Sequence, residues 1–321
     1  MKRPCKILQT ERMNIGRSIR PIKKIKIIRM KRISIYLIFS FSLLACNKKE
    51  VVPLNFDVKT NKTSYNVNDT VRFLVSGNPD QLQFYSGMPG HQYIYKDRYE
   101  ANGKPAMSFT YFAQYGAELN TLKLLVSQNF AGTYTQAGVA AATWTDITNR
   151  VTPAFVYNSD NRPSGTIDLS DFDQSKPLYI AFKFTGTTGA TQRTWTIKNF
   201  TLNTEIDGGT VINVANTSTA AWTNVNFNNS PRNWTFTTAQ LQFQGGAANI
   251  GSNEGWAVSK ALYLNKVAPD KGVALKNMST RMDEYSFIYT APGTYTATFI
   301  ASNENIYGAS KSLKELTVTV Q

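Results

Sequence analysis

The 321-residue sequence holds a single histidine and two cysteines, and each scarcity closes off a class of chemistry. A Ser-His-Asp or Cys-His arrangement would have to use His91, and no Gly-x-Ser-x-Gly elbow accompanies it. His91 lies among Gly87, Pro89 and Gly90 and reads as an ordinary surface-loop residue. Zinc sites fail on the supply of ligands, and neither a Walker pattern nor a dinucleotide-binding glycine pattern is present. A carboxylate pair could still hydrolyse a glycoside, but no acid pair stands out by its spacing. No catalytic residue is expected, and the chain reads as a non-enzyme.

Charge is abundant but unevenly placed. The net charge of +14 would suggest nucleic acid or an anionic surface if it were spread along the chain. Residues 1–45 carry twelve bases and only Glu11 as an acid, which leaves 23 bases and 20 acids, a net +3, for residues 46–321. Nucleic acid is therefore not an expected partner.

The basic front reads as an export signal. Met30-Lys31-Arg32 opens it, and residues 33–44 are apolar except for Ser34, Ser40 and Ser42. That run is too short for a bilayer span, which needs about 20 residues, and fits the apolar region of a signal peptide. Leu43-Leu44-Ala45-Cys46 resembles the bacterial lipobox, in which the cysteine is acylated and becomes the new N-terminus. A cysteine that merely follows an ordinary signal is the competing reading. With Met30 as the start, residues 1–29 are a mis-translated upstream extension, 30–45 the signal peptide and 46–53 a tether. A genuinely long basic leader is the alternative. Cys46 would then be the only cysteine of the mature chain, so no disulfide forms within it; a core of this size does not need one. Multiple acylation would hold the protein stably on a membrane, since one chain alone binds marginally. Lys48-Lys49-Glu50 resembles, with fewer acids, the surface-export signal of Bacteroidetes lipoproteins.

The mature chain reads as all-β. Segments rich in Thr, Val, Ile, Tyr and Phe alternate with Gly, Asn, Asp and Pro clusters, and no helix is expected. Val71, Phe73 and Val75 fall on one face of a strand, as do Tyr295, Ala297 and Phe299. Residues 179–184 are more continuously apolar, as a strand covered on both faces requires. In residues 194–202 the period holds through Trp195 and Ile197, then slips at Asn199, predicting a bulge.

Each end of the chain resembles half of a polycystic-kidney-disease-type (PKD-like) immunoglobulin-like domain. Asn68-Asp69-Thr70-Val71-Arg72-Phe73 matches the opening strand, with Asn in place of the usual Gly. Pro292-Gly293-Thr294-Tyr295 matches the closing hairpin. Neither half has strands enough for a core, so a discontinuous sandwich of residues 54–98 and 272–321 is expected. The middle, 99–271, is expected as an inserted domain of its own, and over roughly residues 104–206 it resembles the jelly-roll domains of secreted bacterial adhesins and hydrolases. The resemblance rests on residues 122–127, Trp144-Thr145-Asp146, Gly165-Thr166-Ile167-Asp168-Leu169-Ser170, 178–186 and 195–202. The expected fold is therefore an immunoglobulin-like sandwich interrupted by an inserted jelly-roll β-sandwich.

Asn78-Pro79-Asp80, Phe84-Tyr85-Ser86-Gly87, Tyr95-Lys96-Asp97-Arg98 and residues 256–272 together resemble a family of Bacteroidetes lipoproteins known as domain of unknown function 5017. The resemblance spans nearly all of the mature chain and departs at Met88, where an acid is expected. It implies a glycan-related role in a polysaccharide-utilisation system, with outer-membrane transport proteins as partners.

Two constellations are candidate sites. Asp168, Asp171 and Asp173, beside Asn161, could hold a structural Ca²⁺, which takes six to eight oxygens, although a plain polar turn explains them as well. Trp222 and Trp234 flank the Asn-rich residues 224–233, a stretch that reads as too polar for a good strand. Indole faces and amide donors for a sugar could coexist there, against ordinary core packing. The function expected is that of a lipid-anchored outer-membrane protein at the cell surface that binds polysaccharide. An adhesion or assembly subunit that binds protein partners is the alternative, and a glycoside hydrolase the third reading.

Overall fold

The computed structural model describes residues 50–321 except 208, 229 and 279. The upstream extension, the signal peptide, Cys46 and Lys48-Lys49 lie outside the described residues. Two compact units divide the chain. Leu54–Ser302 with Lys311–Gln321 holds the cores described next; the other unit pairs Met1–Pro53 with Asn303–Ser310.

The structure is nearly all β, and its sheets form two sandwiches. The first contains a three-stranded sheet in the order β1 (Phe56–Thr60), β3 (Thr70–Gly77), β18 (Glu284–Ile288). Its second sheet runs β17 (Val273–Lys276), β4 (Gln81–Tyr85), β19 (Gly293–Asn305), β20 (Gly308–Val320), β2 (Ser64–Tyr65). Strands from the two ends of the chain pair directly: β3 places Val75 opposite Val58 of β1 and Val71 opposite Phe287 of β18. The alternation read in the sequence decides what is buried. Val71, Phe73 and Val75 turn inward while Arg72 and Leu74 turn outward. Phe73 meets Phe299 edge-on at 5.0 Å, and Phe84 meets Phe299 at 4.8 Å. Every residue of this core comes from the stretches 54–88 and 275–320.

The second sandwich takes its strands from residues 104–258. One sheet runs β13 (Thr223–Phe227), β16 (Asn253–Val258), β10 (Tyr179–Gly186), β6 (Leu122–Ser127), β7 (Thr145–Asp146). The other runs β14 (Trp234–Phe236), β15 (Gln240–Phe243), β11 (Thr194–Ile206), β5 (Lys104–Gln114), β8 (Arg162–Pro163). In addition, β12 (Thr210–Asn216) pairs with β11 and β9 (Ile167–Asp168) with β5. Phe109 packs edge-on against Phe182 at 5.2 Å, and Phe184 stacks on Phe243 at 4.1 Å, joining the two sheets. Each fully buried ring of this kind contributes about 1.5–3 kcal/mol. Trp195 is fully buried and its indole N–H donates to Thr121 Oγ1 at 2.9 Å, so burying it leaves no polar group unsatisfied.

β10 is the central strand with both faces covered. Ile180, Phe182 and Phe184 enter the core between the sheets, whereas Tyr179 and Ala181 join a separate apolar cluster on the opposite face. The slip at Asn199 is a true irregularity: pairing of β11 with β5 shifts between Lys198 and Thr201. Asn199 adopts φ 51°, so Phe200 and Leu202 return to the core.

Two sequence expectations are corrected. A short helix, α1 (Gln136–Ala141), forms where none was expected; Thr135 caps it by accepting from Gly138 N at 3.1 Å, and Val139 is buried. Residues 224–233 were read as too polar for a strand, yet β13 runs to Phe227 and pairs along β16. Its asparagines are accommodated because they bond locally. Asn224 Oδ1 accepts from Trp234 N at 2.8 Å, and the Asn226 amide donates to Asn233, while Val225 supplies the buried anchor.

Candidate functional site

The outward face of the sheet β13-β16-β10-β6-β7 carries the grouping best suited to a ligand. Strand alternation puts Glu254, Trp256 and Val258 of β16 on the same side as Tyr179, Ala181 and Lys183 of β10. Register then places Trp256 between Val225 and Lys183. One part of the face is roofed by α1 and its flanks, whose Phe130, Tyr134, Val139 and Trp144 pack onto it. Tyr134 Oη donates to Ser259 O at 3.0 Å and pins that roof down.

Phe227 and the roof residue Trp144 keep half-buried ring surface, while Trp256, which both contact, is buried. Phe227 stacks on Trp256 with centroids 5.6 Å apart and planes 29° apart, and Trp144 lies 5.4 Å from Trp256 on its own contact. Glu254 Oε1 accepts from Trp256 Nε1 at 3.0 Å and pairs with Lys183 Nζ at 3.0 Å. The Lys183 ammonium sits 5.1 Å from the Trp256 ring centroid. Both charged side chains keep about a quarter of their surface in water, 25% and 23%, so they remain within reach of a ligand. Further along, Lys123 Nζ meets Asp146 at 3.0 Å. Burial acts to raise the Asp146 pKa, but hydrogen bonds from Thr148 and the Lys123 ammonium outweigh it and hold the carboxyl below its usual range. The face thus offers ring surfaces beside ammonium donors and carboxylate acceptors, the two halves of recognition for a polyhydroxylated ring.

The residues singled out in the sequence are placed differently. Trp234 is 3% exposed, its ring 5.6 Å from Phe243 and its N–H donating to Gly255 O at 2.9 Å. Trp222 is half-buried against Phe200 at 5.2 Å and Phe182 at 5.5 Å, and its N–H donates to Thr217 O at 3.1 Å. Both belong to the packing between the sheets rather than to an exposed stacking loop. The physical reason is that the strand β13 between them brings its two flanks back to one core.

The three aspartates are likewise separated by their partners. Asp168 Oδ1 accepts from Ser170 N and Oγ at 2.9 and 2.6 Å, and Asp173 Oδ1 does the same with Ser175 at 3.0 and 2.6 Å. Asp171 receives both arms of Arg150 at 2.8 and 2.7 Å. Among the described residues, no group of three or more His, Cys, Asp or Glu side chains is placed to hold a metal ion. The turn is a polar turn closed by its own serines and Arg150. His91 is exposed, with Nδ1 2.7 Å from Lys271 O.

The model of the family described as "Domain of unknown function (DUF5017)" matches residues 45–222. The chain belongs to this family. No curated protein and no solved structure matches it. The DUF5017 match takes in Trp144 and Lys183, but it ends before Glu254 and Trp256, and residues 256–272 lie beyond it. Within the DUF5017 span, Ser86 accepts Tyr289 Oη on its carbonyl at 2.8 Å, and Gly87 N donates to His91 O at 2.9 Å. Met88, the departure noted in the sequence, packs against the first core and lines an apolar pocket of about 240 Å³ with Phe84 and Phe287.

In the sequence, Trp144 and residues 256–272 stand out only as fold motifs, and Phe227 and Glu254 carry no site signal. One signal was available. Lys183 is the sole charge in the apolar run 179–184, and a charge inside a central strand marks the position where its outer face meets water.

Proposed function

We propose that this DUF5017 protein is a lipid-anchored outer-membrane protein of the cell surface, of the Bacteroidetes type, that binds polysaccharide without cleaving it. The observation that carries this reading is the pair of half-buried rings Phe227 and Trp144, each packed on the buried Trp256, beside the Lys183–Glu254 ion pair of an outward sheet face. Sugar rings present C–H faces that stack on such aromatics, and their hydroxyls pair with the adjacent charged groups. The lipobox-like Leu43-Leu44-Ala45-Cys46 supports the anchor. Such a protein would hold glycan at the surface for outer-membrane transport partners.

The test is a panel of polysaccharides against protein beginning after Cys46, read by affinity electrophoresis, with reducing-end release measured in parallel. The expected result is retardation by at least one polysaccharide and no release of reducing ends. Release would establish a hydrolase. Retardation by none would favour the alternative of an adhesion or assembly subunit. In cells, Cys46→Ser should abolish labelling by a radioactive fatty acid, and unchanged labelling would overturn the anchor.

A further inference from the structure

The hairpin joining β19 to β20 turns on two residues, Ile306 and Tyr307, which are 89% and 51% exposed. Two-residue hairpin loops favour Asn, Asp and Gly because these tolerate positive φ, so nothing in turn formation calls for a β-branched residue and an aromatic here. The turn is instead held by Asn305, whose Oδ1 accepts from Tyr307 N at 2.8 Å. Neither side chain belongs to an apolar cluster. An isolated exposed apolar residue needs no explanation, but these two have a particular neighbour.

That neighbour is the segment leading from Cys46. Asn303 Nδ2 donates to Val52 O at 3.1 Å, and a Cβ added at Gly308 would lie 3.4 Å from Val51 Cγ2. Val52 is itself 58% exposed. Cys46 is six positions before Val52, and an extended chain covers at most about 3.3–3.6 Å per residue, so chain length alone limits their separation to about 22 Å. If Cys46 is acylated, that limit keeps the hairpin within reach of the lipid surface.

We infer that the Ile306-Tyr307 tip is a second membrane contact, in which the Ile306 side chain enters the acyl boundary and the Tyr307 ring lies at headgroup level. Tyr favours that depth because its ring is apolar and its hydroxyl stays wet. The second contact gives the tethered protein one defined attachment point besides its acyl chains. This inference rests on the anchor assigned to Cys46.

The test uses the acylated protein reconstituted into vesicles of phosphatidylethanolamine and phosphatidylglycerol. With Cys46 acylated, Ile306→Cys and Tyr307→Cys each provide a single thiol for an environment-sensitive fluorophore, and Thr238→Cys provides an exposed control. The expected result is co-flotation of all three. Labels at 306 and 307 should show a blue shift and loss of emission with nitroxide-bearing lipids, and the label at 238 should show neither. Flotation with labels at 306 and 307 no more quenched than at 238 would overturn the hairpin contact while leaving the anchor intact. Failure to float would overturn the anchor, and the hairpin contact with it.

Discussion

The sandwich built from the chain ends and the sandwich built from its middle differ in how far their partners lie apart in sequence. Tyr289 bonds Ser86 across 203 residues, whereas Trp195 bonds Thr121 across 74. Loop-closure entropy grows only as the logarithm of length, so the longer closure costs about 0.9 kcal/mol more, less than one well-packed ring contributes. Long-range assembly is therefore inexpensive at equilibrium. What it changes is dependence: β3 is flanked by β1 from one end of the chain and β18 from the other, so neither end has a complete sheet alone. The middle sandwich carries both of its sheets within residues 104–258. It also has a second aromatic cluster on an outer face, where the proposed glycan site lies.

The largest test of that contrast is to separate the two. A fragment ending near Arg98 should show no cooperative unfolding transition by circular dichroism, while residues 99–271 should retain one. A cooperative transition in the short fragment would break the distinction. Next in size is the loss of a core ring. Trp234→Ala should cost on the order of 3–5 kcal/mol in denaturant melts, as should Phe299→Ala in the other core. A cost under 1 kcal/mol for Trp234 would return it to the surface role first read from the sequence. A smaller effect belongs to the bulge, where Asn199 holds φ 51°. Asn199→Val should cost about 1–2 kcal/mol and Asn199→Gly little, and equal costs would show that backbone strain is not the cause.

The smallest effect is electrostatic and depends on pH. The Arg150 hydrogen bonds lower the Asp171 pKa, with burial opposing them. A depressed folded-state pKa contributes stability above the unfolded value, about 3.9, and that contribution is lost as pH falls through the folded value. Because Asp171 is more than half exposed, the contribution should stay below about 1 kcal/mol. Arg150→Met should remove it above pH 4, so the stability gap between the two proteins should narrow as pH falls through the folded value. A gap that does not narrow as pH falls would mean that the pH-independent contacts of Arg150, its hydrogen bond to Asp168 O at 2.6 Å and its packing on Phe172, are what it contributes.

The pattern of strands was legible because alternation is a local signal. The faces of Val71, Phe73 and Val75, the two-sided burial of β10 and the slip at Asn199 each follow from neighbouring residues. The helix α1 was not legible. Six residues with one buried side chain make too short an apolar period, and its stability comes from the sheet that it covers. The site was misplaced for a related reason. Composition shows that Trp222 and Trp234 flank a polar stretch, but only strand pairing decides that both turn toward Phe182 and the core. Trp256 needed the opposite information, namely that its neighbours Val225 and Lys183 share the outer face.

The most direct measurement sets an outer-face ring against an inner one in the same experiment. Phe227→Ala and Trp222→Ala would each be titrated calorimetrically with the polysaccharide that retards the wild type, and melted under the same conditions. Phe227→Ala should weaken binding about tenfold, roughly 1.4 kcal/mol, with little change in melting temperature. Trp222→Ala should lower the melting temperature and bind with wild-type affinity while folded. Full affinity in Phe227→Ala together with weakened binding in folded Trp222→Ala would contradict the account and move the glycan site away from this face.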